Sequence, residues 1–593
     1  MRVHHDPTLP PEGWSWDPLK YALKASCPSA LLYAVFGLLR SATLGVDLRN
    51  SPLADAPKVA LRMINHWDNI HPRNDIERGY GGRSLFHWEE LPALRPLYED
   101  YARLLASVGI NAIVLNNVNA GEPGIGGYRL ITPEFLPKLA ALADLFRRWG
   151  IRCGISISFS SPTLTGDLST DDPRDPAVRA WWAARTAEIY RQIPDFLGYL
   201  IKADSEGQPG PAKYGLTHAE GARAISDALL PYGGRLFWRA FVYGLDNNLD
   251  IVAQPYAQFK PLDGSFPSNC SVQIKYGPRD FQPREPIHPL LGALEKTATA
   301  LELQITQEYL GHDTHAVFLP TLWEEILRSP VWLAPTLADF LSSRGDSAIV
   351  GVSNVSDAPN WTGHLFAQAN LYGFGRLAWN PYLDADTILR EWTALTFPGS
   401  QKVINTTHNI LSRSHATFIG YTAPYCLGQV HGNGPNWDLC HYDPDPAAKN
   451  GTDLFYADAQ RIGIDRTLSS GRGVLEQYPP PLRELFNDPN TCPEKYLLWF
   501  HQLPWHYRLK DGRTLAEAID FSYWANARRV EDFIREWQAL EPHLAPSVFS
   551  HVLEKLHAQH SHALHWARHM TDYFTNLREN KKEHDPPEAL LGK

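Results

Sequence analysis

The sequence predicts an α/β fold: a (β/α)8 barrel of the TIM type, followed by a mostly helical C-terminal domain. Three observations carry this expectation. Eight short, near-continuous apolar runs recur between residues 59 and 352, as parallel strands covered on both faces require. Stretches with helical spacing fill the gaps between them. Charged side chains stand at the ends of successive runs, where a parallel barrel gathers its reactive groups.

The runs occupy residues 59–64, 111–115, 152–157, 198–201, 236–242, 270–274, 303–306 and 348–352. Amphipathic helices are expected over 97–108, 133–149 and 175–193, ahead of the second, third and fourth runs. An open doubly wound sheet is the competing arrangement. It needs a glycine-rich phosphate loop after the first strand, and Asn65-His-Trp-Asp-Asn is not one. The barrel is therefore expected over 58–385. Ahead of it, residues 1–57 form an N-terminal extension. Its one long apolar stretch, 30–40, is expected to pack on the barrel as a helix. After residue 385 the strand rhythm stops. Residues 387–396 and 403–415 read as helix, 424–449 as a long loop, and 515–576 as helix-permissive almost throughout. The segment 386–593 is thus expected as a mostly α-helical C-terminal domain.

Composition narrows the function. With 593 residues, 44% hydrophobic and 20% charged, the chain has the make-up of a soluble globular protein. A net charge of -10 without a basic block argues against a nucleic-acid partner. The opening residues have no signal-peptide pattern, and no apolar run is long enough to cross a bilayer. A cytoplasmic protein with no membrane partner is expected. Six cysteines lie far apart with no CxxC, which points to neither a disulfide framework nor a zinc site. The 19 Trp, 25 Tyr and 24 Phe suit the faces of sugar rings, and they equally fill large cores.

The site candidates follow from the strand ends. The fourth run ends at Lys202, and Glu206 follows four residues later among glycines and prolines that exclude helix. Asp280 follows the sixth run, and Glu308 is read as ending the seventh. Acids in equivalent places around one mouth fit glycosidic bond hydrolysis. One stays protonated to serve the leaving oxygen, and an ionised one activates water or attacks. Glu206 is the candidate acid, with Asp280 and Glu308 as base candidates. Lys202, Arg239 and Lys275 form a second signal. A barrel interior does not bury three neighbouring cations without acceptors. Their own carboxylates are one source of acceptors; a substrate carboxylate, held bidentately by the arginine, is the other.

Long motifs then tie the chain to a family. They include Leu61-Arg-Met-Ile-Asn-His-Trp-Asp-Asn, Ile76-Glu-Arg-Gly-Tyr, Gly109-Ile-Asn-Ala-Ile-Val-Leu-Asn-Asn-Val-Asn-Ala and Lys202-Ala-Asp-Ser-Glu-Gly-Gln-Pro-Gly-Pro. Trp238-Arg-Ala-Phe-Val-Tyr, Gly277-Pro-Arg-Asp-Phe-Gln-Pro-Arg-Glu-Pro, Leu303-Gln-Ile-Thr-Gln-Glu-Tyr-Leu-Gly and Asn360-Trp-Thr-Gly-His continue the set. Gly373-Phe-Gly-Arg-Leu-Ala-Trp and Gly463-Ile-Asp-Arg-Thr complete it. Over residues 30–576 the chain resembles the glycoside hydrolase family 67 α-glucuronidases. The resemblance implies a (β/α)8 catalytic domain and an inverting mechanism. It implies removal of α-1,2-linked glucuronic acid, or its 4-O-methyl ether, from xylo-oligosaccharides. Carried over by motif, Glu206 is the general acid, and Asp280 and Glu308 share the general-base role. Lys202, Arg239 and Lys275 match the uronate-binding cations, and Trp67 matches the aromatic lining the sugar subsite. Three departures stand out. Family members usually carry a β-rich N-terminal domain, of which 1–57 is a remnant. The loop Gln429-Val-His-Gly-Asn-Gly-Pro-Asn-Trp437 departs from the usual pattern, and Tyr276 stands where the family usually has Asn.

No cofactor and no metal are expected, because hydrolysis by paired carboxylates needs none. The histidines at 562, 565 and 569 share a helical face, but no cysteine lies nearby, and a solvated or interface face is the expectation. The partners expected are aldouronic acids and glucuronoxylan fragments, with the C-terminal helices as a candidate homodimer surface. The competing functions are a glycosidase for another uronic acid, such as galacturonic acid, and a non-catalytic carbohydrate-binding protein. The second should have lost one of Glu206, Asp280 or Glu308, and all three are present.

Overall fold

The computed structural model describes residues 2–67, 84–118, 127–242, 249–428 and 456–580. The sequence motif at 76–80 and the loop 429–437 lie outside the described residues.

Eight parallel strands close into a barrel. They are β5 (Leu61–His66), β6 (Ala112–Leu115), β7 (Arg152–Ser156), β8 (Gly198–Lys202), β9 (Arg235–Arg239), β10 (Cys270–Lys275), β11 (Ala298–Gln304) and β12 (Ala348–Ser353). Each pairs in parallel with its neighbour in sequence, and β12 closes on β5. Nearly every strand residue is buried, which explains the near-continuous apolar runs. Close packing fixes Gly198 at the start of β8. Its φ is +134°, and a Cβ there would lie 1.8 Å from the Arg235 carbonyl oxygen of β9.

The helices before β6, β7 and β8 span Pro96–Ser107, Leu136–Arg147 and Pro176–Gln192. Asp175 caps the last by accepting from Ala177 N–H at 2.8 Å. The seventh strand differs from expectation. It runs Ala298–Gln304, not 303–306, so Glu308 does not end it but stands four residues beyond, in the following loop. The run Ala298-Thr-Ala-Leu-Glu is rich in small residues and carries Glu302 into the barrel interior, so it lacks the apolar mark of its neighbours.

Ahead of the barrel, β1 (Arg2–His5), β2 (Trp14–Asp17), β3 (Ala22–Ala25) and β4 (Leu53–Asp55) form a four-stranded sheet in the order β1-β3-β2-β4. Between β3 and β4, helix Pro28–Thr43 buries Ala30, Tyr33, Ala34 and Gly37. Trp14, Trp16, Leu23, Tyr33 and Ala34 form a small core with Trp379, the last residue of the helix that follows β12. The Glu12 carboxylate meets the buried Arg62 of β5 at 2.8 Å.

Beyond residue 385 lie helices Ala385–Thr396, Gln401–Thr422, Leu515–Gln538 and Pro546–Arg578. The last grips the loop after β11. Lys555 Nζ donates to Asp313 at 2.8 Å, and Gln559 Oε1 accepts from Ala316 N–H at 3.0 Å. His562 is buried, with its Nδ1 3.0 Å from His315 Nε2, and accepts from the Trp566 indole at 3.2 Å. Among the described residues, no helix is long and apolar enough to cross a membrane.

Candidate active site

The C-terminal ends of β8, β9, β10 and β11 bring six charged side chains together. Lys202 ends β8, with its side chain only 1% exposed. The chain then turns sharply. Asp204 and Glu206 both take left-handed φ, at 53° and 49°, which lifts Glu206 into the cleft with 46% of its side chain exposed. Asp204 stays behind and accepts from Ala212 N–H at 3.1 Å, which ties down the far side of the turn. Lys202 Nζ pairs with Glu206 Oε2. Burial pulls Lys202 below the ordinary lysine range, and the Glu206 charge opposes that pull.

At the end of β10, Lys275 donates to Asp280 Oδ1 at 2.9 Å and to the Arg279 carbonyl. The Tyr309 hydroxyl, from the loop after β11, donates to Asp280 Oδ2 at 3.1 Å. Burial alone would raise Asp280. The charges of Lys275, Arg279 and Arg239 outweigh it and hold the carboxyl well below the usual range, so Asp280 is ionised. Burial pushes Lys275 down to about 8, against the pull of Asp280. Glu308 precedes Tyr309 in the same loop and accepts from Gln304 Nε2 at 3.0 Å.

Arg239, at the end of β9, is bound by Glu302 of β11. Nε lies 2.8 Å from Oε2 and Nη2 lies 2.6 Å from Oε1, with both side chains almost wholly buried. Glu302 also accepts from Gln273 Nε2. The side-on edge of the guanidinium is therefore taken by Glu302. The Nη1 end remains outside this pair.

One ring organises the cations. Lys275 Nζ lies 3.4 Å from the Phe241 centroid, Lys202 Nζ 4.6 Å and the Arg239 guanidinium carbon 4.8 Å. The electron-rich face offsets part of the repulsion among three buried charges. Trp67, buried after β5, lies 5.2 Å from the Arg239 guanidinium carbon and so lines the same cluster. Tyr276 is buried, donates to the Gln282 carbonyl at 3.0 Å, and is driven well above the ordinary phenol range by that burial.

Three further residues belong to this machinery without having been singled out from the sequence: Glu302, Phe241 and Glu285. Glu285 is fully buried and accepts backbone N–H groups from Arg279, Asp280 and Gln282 at 2.6, 3.0 and 2.7 Å. It moulds the loop that carries Asp280. A Cβ at residue 277 would lie 2.5 Å from the Glu285 carboxylate, so the turn requires Gly277. Glu302 carried no local signal. The seventh run as read starts at residue 303, one past Glu302, and Arg239 stands two strands away.

Acids and cations converging on the C-terminal mouth of a closed parallel barrel define a (β/α)8 protein of the glycoside hydrolase kind. The model of the glycosyl hydrolase family 67 middle domain matches residues 43–361, and that of the family 67 C-terminus matches 362–586. The chain belongs to glycosyl hydrolase family 67. It is 38% identical over 570 residues to an alpha-glucuronidase of Hypocrea jecorina, covering 92% of this chain and 65% of that protein. It is 36% identical over 586 residues to alpha-glucuronidase A of Emericella nidulans, covering 94% and 68%. A probable alpha-glucuronidase A of Aspergillus clavatus is 39% identical over 541 residues, covering 88% of this chain and 63% of that one. The chain thus spans about two thirds of the length of these relatives. Among solved structures, a GH138 enzyme targeting pectin rhamnogalacturonan II shares the fold, with a TM-score of 0.55 at 11% identity over 97% of this chain and 66% of that one.

Proposed function

We propose that the chain is an inverting α-glucuronidase. It hydrolyses the α-1,2 bond between glucuronic acid, or its 4-O-methyl ether, and xylose in xylo-oligosaccharides. The observation that carries this reading is the convergence of Lys202, Arg239 and Lys275 on one ring, with an acid paired to each. A neutral sugar gives no reason to gather three cations there, whereas a uronate carboxylate does. The names of the relatives support the same reading.

In this mechanism the uronate carboxylate lies among Lys202, Lys275 and the Nη1 end of Arg239, with Trp67 lining the subsite. Glu206 delivers a proton to the xylose oxygen as the glycosidic bond breaks. Asp280, held ionised by its cations, takes a proton from water with Glu308 as that water attacks the opposite face of the ring. Two groups meet Asp280 from different elements, Lys275 from the end of β10 and Tyr309 from the loop after β11, and they aim it at that water. Incubation with aldouronic acids tests the proposal. Glucuronic acid should be released first as the β anomer, read by NMR at early times. Release of the α anomer overturns inversion, and no release overturns the activity. Hydrolysis of another uronic acid is the second reading, favoured by Tyr276 standing beside the Asp280 loop. A galacturonoside assay separates the two. A homodimer through the C-terminal helices belongs to the same proposal. Phe521, exposed on helix Leu515–Gln538, is the residue to change before measuring mass by light scattering.

A further inference from the structure

Phe241 is a neutral side chain that Lys202, Arg239 and Lys275 share. It follows Arg239 by two residues, and Ala240 N–H donates to the Gln273 carbonyl at 2.8 Å, so the pairing of β9 with β10 runs on past Arg239. Side chains alternate along a strand, which turns Arg239 and Phe241 to the same inward side. The ring is 2% exposed and gathers the ends of β8, β9 and β10. Other rings stand further off. The Phe281 centroid is 5.4 Å from Lys275 Nζ, and that of Trp67 is 5.2 Å from the Arg239 guanidinium carbon. Lys275, at 3.4 Å from the Phe241 centroid, makes the closest of these contacts.

A ring does something for these cations that a carboxylate cannot. An ammonium taken out of water needs a partner. A carboxylate serves, but each one also repels an incoming uronate. A ring face attracts the cation through its quadrupole and carries no net charge, and the attraction grows where water is excluded. The charges around Lys275 pull in both directions. Among the described residues, Asp280 and Glu285 favour its ammonium form, and the like charges of Arg239, Arg279 and Lys202 oppose it. His288, beside them, is kept neutral by burial. Burial is the largest influence on Lys275 and opposes its charge, which leaves the lysine at about 8. The ring adds stabilisation to that ammonium without adding a negative charge to the subsite.

We propose that Phe241 is a positioning residue that sets specificity for a uronic acid: its face keeps Lys275 and Lys202 as ammonium groups, in place, where a substrate carboxylate can meet them. The inference rests on the α-glucuronidase reading and names a residue that gives that site its selectivity. Phe241 acts through the cations and not on the reacting atoms. Weakening the ring therefore appears in KM for a uronate rather than in kcat. A ring of the same size with a weaker quadrupole fills the same space but holds the ammonium less well, so Lys275 loses its proton at lower pH.

The test replaces Phe241 in the full chain with mono-, di- and trifluorinated phenylalanine by stop-codon suppression. Fluorine weakens the negative face of the ring stepwise at nearly constant volume. KM for aldouronic acids is then read from about pH 6 to about pH 9. With the unmodified ring it should rise as pH passes about 8. Along the series that rise should move down, by about one pH unit for the trifluorinated ring, as weakening of a desolvated cation–π contact requires. At about pH 8 this raises KM about fivefold, whereas at about pH 6 the series agrees within about twofold. Inhibition by glucuronamide, a neutral sugar of the same shape, should stay level throughout. A rise that keeps its place along the series overturns the role of the ring. So do KM losses that are equal at both ends of the pH range, or a parallel loss of glucuronamide binding, because both mark a change of shape. If the unmodified protein releases no glucuronic acid from aldouronic acids, the α-glucuronidase reading falls and this role of Phe241 falls with it.

Discussion

Arg239 and Arg62 are both buried arginines on barrel strands, and each is paired with a glutamate, yet they stand at opposite ends of the barrel. At the N-terminal end Arg62 uses all three nitrogens. Nε donates to the Gly109 carbonyl, Nη1 to the Val59 and Ala60 carbonyls at 2.8 and 3.0 Å, and Nη2 to Glu12 at 2.8 Å. At the C-terminal end Arg239 spends only Nε and Nη2 on Glu302. A saturated guanidinium can only hold the structure together. One with a spare edge, facing a cleft that also holds two lysines, can meet a ligand. The partners differ in the same sense. Glu12 reaches in from the N-terminal segment with 22% of its side chain exposed, whereas Glu302 is fully buried on the next strand but one.

The largest effect expected falls on the C-terminal end alone. Glu206→Gln should lower turnover of natural xylosides by roughly 10²–10⁴-fold, the usual worth of a positioned acid. Aryl glucuronides, whose leaving groups need no proton, should lose far less. Equal losses on both substrates would reassign the acid. Next come the two glutamates. Glu302→Ala strands a buried arginine and should cost about 3–5 kcal/mol of stability in urea. Glu12→Ala leaves Arg62 with three carbonyl partners and should cost about 1–3 kcal/mol. If the two losses match, saturation does not separate the pairs. Arg239→Ala should weaken kcat/KM on aldouronic acids by about 1.5–3 kcal/mol, the worth of a charged contact. Arg62→Ala should lower the melting temperature and leave KM unchanged. The smallest effect is one of pH. Lys275, held near 8 by burial, is charged below that value and neutral above it. KM for a uronate should therefore rise by a few-fold as pH passes through about 8, while binding of a neutral sugar does not track the same curve; the same lysine's contribution to stability rises with pH above about 8, because the unfolded chain binds more protons there.

The barrel was legible because buried parallel strands leave apolar runs, and seven of the eight lie within a few residues of the runs that predict them. The seventh was displaced because Ala298, Thr299 and Ala300 are too small to announce a strand and Glu302 interrupts the remainder of the run. All of Lys202, Glu206, Arg239, Lys275 and Asp280 could be read from their places at strand ends. Glu302 and Glu285 were harder. Their roles depend on which strand lies across the barrel and on which backbone N–H groups a loop turns inward, and neither distance is written in local spacing. Phe241 looked like one more core aromatic, because a ring's cations come from three different strands.

The grip of helix Pro546–Arg578 on the loop after β11 has a consequence for how the protein is made. The loop with Glu308 and Tyr309 leaves the ribosome long before Lys555, Gln559 and His562, which bind its far end. At about 5–20 residues per second the barrel strands have many seconds to pair before that helix exists. The clasp on the mouth of the barrel is thus completed late, by residues made long after the strands. A chain halted short of them has the residues of all eight strands but lacks the side chains that clasp that loop.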